Sequence, residues 1–184
     1  MRLFTLLKRL VYRLRGEYTV DQLVDMGLKI GKNFNPQLGV SLDPSHCWLI
    51  EIGDDVTIAP HAQILAHDAS TCNLTGYARI GNVRIGNRVF IGAGAIVLPN
   101  TEIGDDVIVG AGSVVSHVSP SGVVCAGVPA KPLCSIKEFQ ARHMENMNSM
   151  PVYGEEYTLR GNISPERKQE QWQAVKAAGG GYVK

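Results

Sequence analysis

An aliphatic residue recurs at every sixth position from residue 85 onward. The repeated positions are Ile85, Ile91, Val97, Ile103, Val109 and Val115. A small or β-branched residue follows four places later, at Val89, Ala95, Thr101, Val107 and Ser113. A period of six fits neither the 3.6-residue helix nor a long alternating strand. It fits short strands joined by tight turns, three of which close a triangular coil, and therefore predicts a mainly β protein with a parallel β-helix solenoid.

The same pattern occurs earlier in the chain, but out of phase with the later repeats. Its aliphatic positions are Ile52, Ile58 and Ile64, and "IGKNF" at residues 30–34 resembles an opening coil. The step from Ile64 to Ile85 is not a multiple of six. We therefore expect part of the chain between them to leave the coil as a loop.

The segments on either side of the repeats have helical patterns. Thr19 and Gln22 have the spacing of a capping box, which predicts a short helix after Thr19. Beyond residue 133 two further helices are predicted, the second with Ser164 as N-cap and Pro165 at its first position. This gives three parts: an N-terminal helical segment at 1–29, a β-helix domain at 30–133 and a C-terminal helical extension at 134–184.

Residues 1–16 carry five basic side chains, no acidic one, and leucines at helical spacing. The apolar positions are Leu3, Leu7, Leu10 and Leu14. Charges interrupt them too often for a signal peptide or a membrane span, so we predict an amphipathic helix. Two roles stay open for it: packing on the domain or on a neighbouring subunit, and peripheral contact with an anionic membrane surface.

Composition narrows the class of protein. The 184 residues are 45% hydrophobic and 19% charged with a net charge of +1, as expected of a soluble chain, and nothing in them indicates nucleic-acid binding. The four cysteines form no CxxC pair: Cys47, Cys72, Cys125 and Cys134. Free thiols indicate a reducing compartment, so we expect a cytoplasmic protein, with the inner face of the membrane as the alternative suggested by residues 1–16.

Two motifs resemble a known family. "IGNRVFIGAGAIVLPNTEIGDDVIVGAGSVV" followed by "AGVPAK" is similar to the hexapeptide-repeat acetyltransferases. The resemblance covers about residues 30–133 and implies a left-handed β-helix, acetyl-CoA as co-substrate, and a homotrimer with active sites between subunits. It also implies that the expected loop spans residues 68–78 and walls the acceptor site. Among family members, the N- and C-terminal segments are most similar to those of surface-polysaccharide O-acetyltransferases.

The resemblance identifies His67, on the last coil before the loop, as the catalytic histidine. Chemistry supports this independently, because an alcohol becomes a good nucleophile only as its proton leaves, and imidazole is a suitable base at neutral pH. We expect His67 to take the acceptor proton while the oxygen attacks the thioester directly. For the other ring nitrogen a backbone carbonyl is the commoner partner, and the sequence points to no particular residue.

Donor positions are also carried over from the family. They are Phe90, Ala93, Ala111, Ser116, His117, Ala126, Pro129 and Lys131. The amide of Ala93 would bind the thioester oxygen and Lys131 the CoA phosphates. Phe90 replaces a tryptophan common in the family, and His117 replaces a lysine or other cation. The expected acceptor-binding residues are His46, Trp48, Asn73 and Tyr77.

Several alternatives to sugar O-acetylation remain at this stage. Within the family, the acceptor could be an amino nucleotide sugar, serine or an antibiotic. Outside acetyl transfer, some related β-helices resemble γ-class carbonic anhydrases that bind zinc through three histidines, for which the chain offers His61, His67 and His117. That class has no use for "AGVPAK", and the sequence assigns no metal ligand. A non-catalytic scaffold is the remaining alternative.

Overall fold

Three parallel sheets form the faces of a triangular coil that occupies the first part of the protein. The computed structural model describes residues 17–184, so the amphipathic helix predicted for residues 1–16 lies outside the described residues. The described chain divides into two compact units, one ending at Ile136 and the other spanning Lys137–Lys184.

The strands of the coil follow one another in chain order. The first coil contains β1 (Lys29–Ile30), β2 (Asn35–Pro36) and β3 (Ser41–Leu42), and the second contains β4 (Ile50–Ile52), β5 (Thr57–Ile58) and β6 (Gln63–Ile64). An excursion follows with β7 (His67–Asp68), α2 (Cys72–Thr75) and β8 (Arg79–Ile80). The third coil has β9 (Val83–Ile85), β10 (Phe90–Ile91) and β11 (Ile96–Val97), and the fourth has β12 (Thr101–Ile103), β13 (Ile108–Val109) and β14 (Val114–Val115).

Each face collects one strand from every coil. Face 1 is β1-β4-β9-β12, face 3 is β3-β6-β11-β14, and face 2 begins with β2-β5-β10-β13. All these pairs are parallel, with Phe90 opposite Ile108 and Ile96 opposite Val114. A separation of three hexapeptides therefore returns the chain to the same face.

The aliphatic residue of each hexapeptide points into the coil, as the pattern predicts. Ile58, Ile91 and Val109 stack on face 2, and their side chains are fully buried. The small residues, including Ala95 and Ser113, are buried as well. Full burial of one such aliphatic side chain contributes about 1.5–3 kcal/mol, so the repeat itself supplies the core.

The corners between faces carry the backbone turns. Corner II, between faces 2 and 3, comprises residues 37–40, 59–62, 92–95 and 110–113. Corner III, between faces 3 and 1, comprises residues 43–49, 65–82, 98–100 and 116–118. Successive turns are joined by hydrogen bonds such as Gly112 N–H to the Ala93 carbonyl, at 2.8 Å. Corner III contains the two irregular stretches of the solenoid, a 3-10 turn at Cys47–Leu49 and the excursion.

The excursion is a small hairpin with a helical tip. Its base is an antiparallel pair in which His67 lies opposite Ile80 and Asp68 opposite Arg79. Between them lie a 3-10 turn, Ala69–Thr71, and α2, which ends at Gly76 in the left-handed conformation. No residue from Ala69 to Thr75 is buried, so the coil beneath does not depend on this segment for its core.

The first unit is completed at both ends. α1 (Val20–Asp25) begins with the predicted capping box, since Thr19 and Gln22 bond each other reciprocally. At the other end, β15 (Val123–Gly127) extends face 2 and turns through a cis Val128–Pro129 bond into the antiparallel β16 (Ala130–Ser135). The "AGVPAK" motif forms this hairpin.

The second unit contains α3 (Ile136–Asn146), β17 (Val152–Tyr153), α4 (Pro165–Ala178) and β18 (Tyr182–Val183). Its boundary with the first unit falls at the first residue of α3. The Ser164 hydroxyl accepts a hydrogen bond from the Arg167 amide, and Pro165 is the first residue of α4, which confirms the predicted cap. The parallel pair β17–β18 joins the segment that follows α3 to the C-terminal end of the unit.

Candidate active site

His67 lies at corner III, where the chain leaves the coil for the excursion. Its Nδ1 is 2.5 Å from Oδ2 of Asp43, and its side chain remains 33% exposed, whereas that of Asp43 is fully buried. A carboxylate only accepts hydrogen bonds, so the proton between them belongs to Nδ1 and the other nitrogen, Nε2, carries the free lone pair. The partner of Nδ1 of His67 is thus the carboxylate of a side chain rather than the commoner backbone carbonyl.

Asp43 is held as an anion by its surroundings. Burial alone raises the pKa of Asp43, but hydrogen bonds from His67 and from the Ala66 amide, with a further one from the Ser45 amide, outweigh burial and lower the pKa below its ordinary value. The carboxylate therefore stays charged at neutral pH and fixes the orientation of the imidazole.

The stacking of the first two coils explains how Asp43 reaches His67. Leu42 of β3 pairs with Ile64 of β6, and the Asp43 amide donates to the Ile64 carbonyl. Asp43 therefore occupies the same corner as His67, one coil below it. Leu42 and Asp43 are both buried, so the strand alternation ends there and the carboxylate turns inward.

His46 and Trp48 lie beside this pair. The ring centroids of His46 and His67 are 5.3 Å apart, and those of His46 and Trp48 are 5.2 Å apart. Cys47, between them, is fully buried and anchors the turn, while Trp48 is 52% exposed. Within residues 17–184, Nδ1 of His46 is buried and has no hydrogen-bond partner. Of the expected acceptor residues, His46 is thus a neighbour of His67, and Trp48 is a neighbour of His46.

The other two expected acceptor residues belong to the excursion. Tyr77 is 78% exposed and Asn73 is also exposed. The hydroxyls of Thr71 and Thr75 donate to the Tyr77 carbonyl at 2.7 and 3.2 Å, which fixes the backbone at this tip. Thr75 thus stabilises the loop itself.

The expected donor residues fall into two groups. Most lie on face 2 or along corner II: Phe90, Ala93, Ala111, Ala126, Pro129 and Lys131. Ala93 and Ala111 are exposed at successive turns of corner II, and Phe90 is a half-exposed wall on face 2. Ser116 and His117 instead lie at corner III, where the Ser116 hydroxyl and His117 Nδ1 are 2.7 Å apart.

Within one chain, His67 and the donor residues expected on corner II do not meet. Face 3 separates corner II, with Ala93, from corner III, with His67. A reaction that needs both must therefore draw them from different copies of the chain, as the resemblance implies.

The histidines offered for a carbonic-anhydrase-like site are also dispersed. His61 occupies a turn of corner II, and His117 lies two coils above His67 on corner III. In the described part of the chain, the potential metal ligands that do cluster are Asp43, His46 and His67, whose ligand atoms lie within 4.8 Å of one another. Cys47, Cys72, Cys125 and Cys134 are all free thiols.

None of the described helices is both long and apolar enough to cross a membrane.

Sequence comparison gives one match to a protein family and one to an individual relative. The family described as bacterial transferase hexapeptide, with six repeats, matches residues 82–117. Protein CapG of Staphylococcus aureus is 36% identical over 146 residues, which cover 76% of this chain and 85% of that protein.

Solved structures give the same result. A maltose O-acetyltransferase from Clostridium difficile 630 has 38% identity and a TM-score of 0.52, over 59% of each chain. A galactoside acetyltransferase in complex with coenzyme A has 30% identity and a TM-score of 0.57, over 62% of this chain and 58% of the other. The match thus spans about three fifths of each solved chain. These similarities confirm the predicted left-handed β-helix, and the chain belongs to the bacterial hexapeptide-repeat transferases.

Proposed function

We propose that the protein is an acetyl-CoA-dependent O-acetyltransferase that acetylates a sugar hydroxyl, in a precursor of a surface polysaccharide. The observation that carries this proposal is the His67–Asp43 pair, in which a partly exposed imidazole is oriented by a fully buried carboxylate. The similarity to a maltose O-acetyltransferase and to a galactoside acetyltransferase bound to coenzyme A supports the sugar and the donor.

The proposed reaction is a direct transfer. Nε2 of His67 takes the proton of the acceptor hydroxyl as its oxygen attacks the thioester carbonyl, and Asp43 stabilises the resulting imidazolium. The tetrahedral intermediate then collapses, breaking the carbon–sulfur bond, and His67 returns the proton to the departing CoA sulfur. Proton transfer of this kind contributes about 10²- to 10⁴-fold to the rate.

The donor is proposed to lie along corner II of a neighbouring subunit in a homotrimer. The exposed amide of Ala93 would then stabilise the oxyanion, and Lys131 would contact the CoA phosphates. The separation of corners II and III within one chain supports such a shared site. At a given interface, one subunit would contribute His67 from corner III and its neighbour would contribute Ala93 from corner II.

The acceptor is proposed to bind between the excursion and the 3-10 turn. Trp48 offers a half-exposed ring beside His46, which is itself next to His67, and the apolar face of a sugar packs well on such a ring. Asn73 and Tyr77 would supply hydrogen bonds from the excursion. We place the reaction in the cytoplasm, at the inner face of the membrane if residues 1–16 contact lipid.

An acceptor screen tests the proposed function. Purified protein would be incubated with acetyl-CoA and, separately, with neutral sugars, nucleotide sugars, amino sugars and serine, and the products identified by mass spectrometry. We expect a sugar carrying one acetyl group that mild alkali removes, as an ester requires. An alkali-stable amide product, or acetylation of serine alone, would contradict O-acetylation of a sugar.

A further inference from the structure

We propose that Asp43, His46 and His67 form a binding site for a divalent transition-metal ion, with zinc as the probe, and that the bound ion blocks the base. Their ligand atoms lie within 4.8 Å of one another. One carboxylate and two imidazoles are a donor set that zinc accepts, with a fourth position left for water. The inhibition part of this proposal rests on the proposed function.

His46 gives the site a ligand with no other partner. Its Nδ1 is buried and unbonded within residues 17–184, although its ring lies next to that of His67. A buried nitrogen without a hydrogen bond is unfavourable, and coordination would satisfy it. Asp43 already orients His67, so the unpartnered Nδ1 of His46 is a potential ligand atom beside that pair.

The carboxylate is arranged as a metal ligand requires. Asp43 is fully buried, and the amides of Ala66 and Ser45 donate to its two oxygens and fix its plane. Ligand atoms around tetrahedral zinc lie about 3.4 Å apart, so Oδ2 of Asp43 and Nδ1 of His67, which are 2.5 Å apart, must separate by roughly an ångström on binding. His46 and His67 are both partly exposed, and rotation of their side chains can supply this movement.

Binding would change the proton on His67. The ion takes the place of the proton that Nδ1 shares with Asp43, and Nε2 takes up one proton through solvent, so the imidazole stays neutral. An imidazole coordinated through Nδ1 then carries its single proton on Nε2, and Nε2 can no longer accept one from a hydroxyl. The metal ion is therefore an inhibitor that competes with the productive tautomer.

Zinc binding is measurable without substrate. Chelator-treated protein would be titrated with zinc by calorimetry, for the wild type, His46→Ala and His46→Gln, with His61→Asn as the matched control. His61 lies on corner II in a left-handed turn that asparagine tolerates. We expect one zinc per chain, at least tenfold weaker binding in both His46 variants, and unchanged binding in His61→Asn. Substituting cobalt should give a spectrum without a thiolate charge-transfer band.

The outcomes separate the two proposals. Absence of zinc binding in the wild type, or equal affinity in the His46 variants, overturns the metal site. Zinc binding that leaves acetyl transfer unchanged overturns inhibition, whereas loss of turnover that chelator restores supports it. Failure of every acceptor in zinc-free buffer would contradict the proposed function and leave the calorimetric result standing.

Discussion

In the proposed mechanism, Asp43 orients His67 as a base, whereas a histidine in contact with solvent alone would have no fixed orientation. The buried charge of Asp43 assigns the proton to Nδ1 and leaves the lone pair on Nε2 of a side chain that is 33% exposed. The carboxylate is fully buried and acts through its hydrogen bond with His67, so we regard it as a positioning residue.

Asp43→Asn should lower kcat by about 10²- to 10⁴-fold and leave the KM for acetyl-CoA within about twofold, because an amide can stabilise either tautomer of His67 and carries no charge. Asp68→Asn is the matched control, since Asp68 adjoins His67 but is partly exposed and caps the Ala69–Thr71 turn. Nitrogen NMR of the His67 ring should show the Nδ1–H tautomer only while Asp43 is present. Equal kcat losses in both variants would refute the positioning role.

The lowered pKa of Asp43 predicts an acid-sensitive contribution to stability. Because the folded pKa lies below the ordinary 3.8, the ionised carboxylate stabilises the folded state above about pH 4, and this is lost as the pH falls through the folded value. Denaturant unfolding with chelator present should therefore show that the difference in unfolding free energy between wild type and Asp43→Asn narrows below pH 4. The contributions of the other carboxylates to this difference cancel, because both proteins contain them. A difference independent of pH would contradict this assignment.

His67 could be predicted from the sequence, whereas Asp43 could not. The phase break after Ile64 marks the position of His67, and the ability of an imidazole to act as a base can be recognised from that one residue. Asp43 becomes its partner only because β3 lies beneath β6, a pairing that spans 22 residues rather than three hexapeptides. With that register known, an aspartate directly after Leu42 could have been recognised.

At the scale of elements, the hexapeptide pattern predicts the three faces. Each repeat contributes one buried aliphatic side chain, and repeats that are three hexapeptides apart pair in parallel on the same face. Corner III shows the limit of such reasoning. The 3-10 turn at Cys47–Leu49 and the helical tip of the excursion have no period, so their form depends on tertiary contacts such as the buried Cys47. The residues expected to bind the acceptor lie in these irregular parts.

The excursion should be separable from the solenoid. Replacing residues 69–78 by a short glycine-serine turn removes no buried side chain and keeps the β7 and β8 ends of the hairpin. We expect the melting temperature and the dissociation constant for CoA to change little, while kcat/KM for the acceptor falls at least tenfold. A stability-matched Leu74→Ala variant serves as control. Unchanged kcat/KM would contradict an acceptor role for this segment.

At the scale of the whole molecule, His67 and the donor residues expected on corner II lie at different corners of the solenoid. In the proposed homotrimer, corner III of one subunit faces corner II of the next, and this arrangement is repeated at three interfaces.

Subunit mixing tests the shared site. His67→Ala and Ala93→Asp should each be inactive, the second because a carboxylate at the exposed Ala93 blocks the donor. Co-assembly in equal amounts should restore about a quarter of wild-type activity, since that share of interfaces pairs two intact corners in random trimers. Mixed assemblies without any activity would contradict a site shared between subunits.

The central claim is that His67 is the general base, and the most direct test compares turnover with donor binding in one variant. We predict that His67→Ala lowers kcat by about 10²- to 10⁴-fold and leaves the CoA dissociation constant within about twofold, as calorimetry would measure. Turnover retained at the wild-type level in a folded His67→Ala protein would contradict the account.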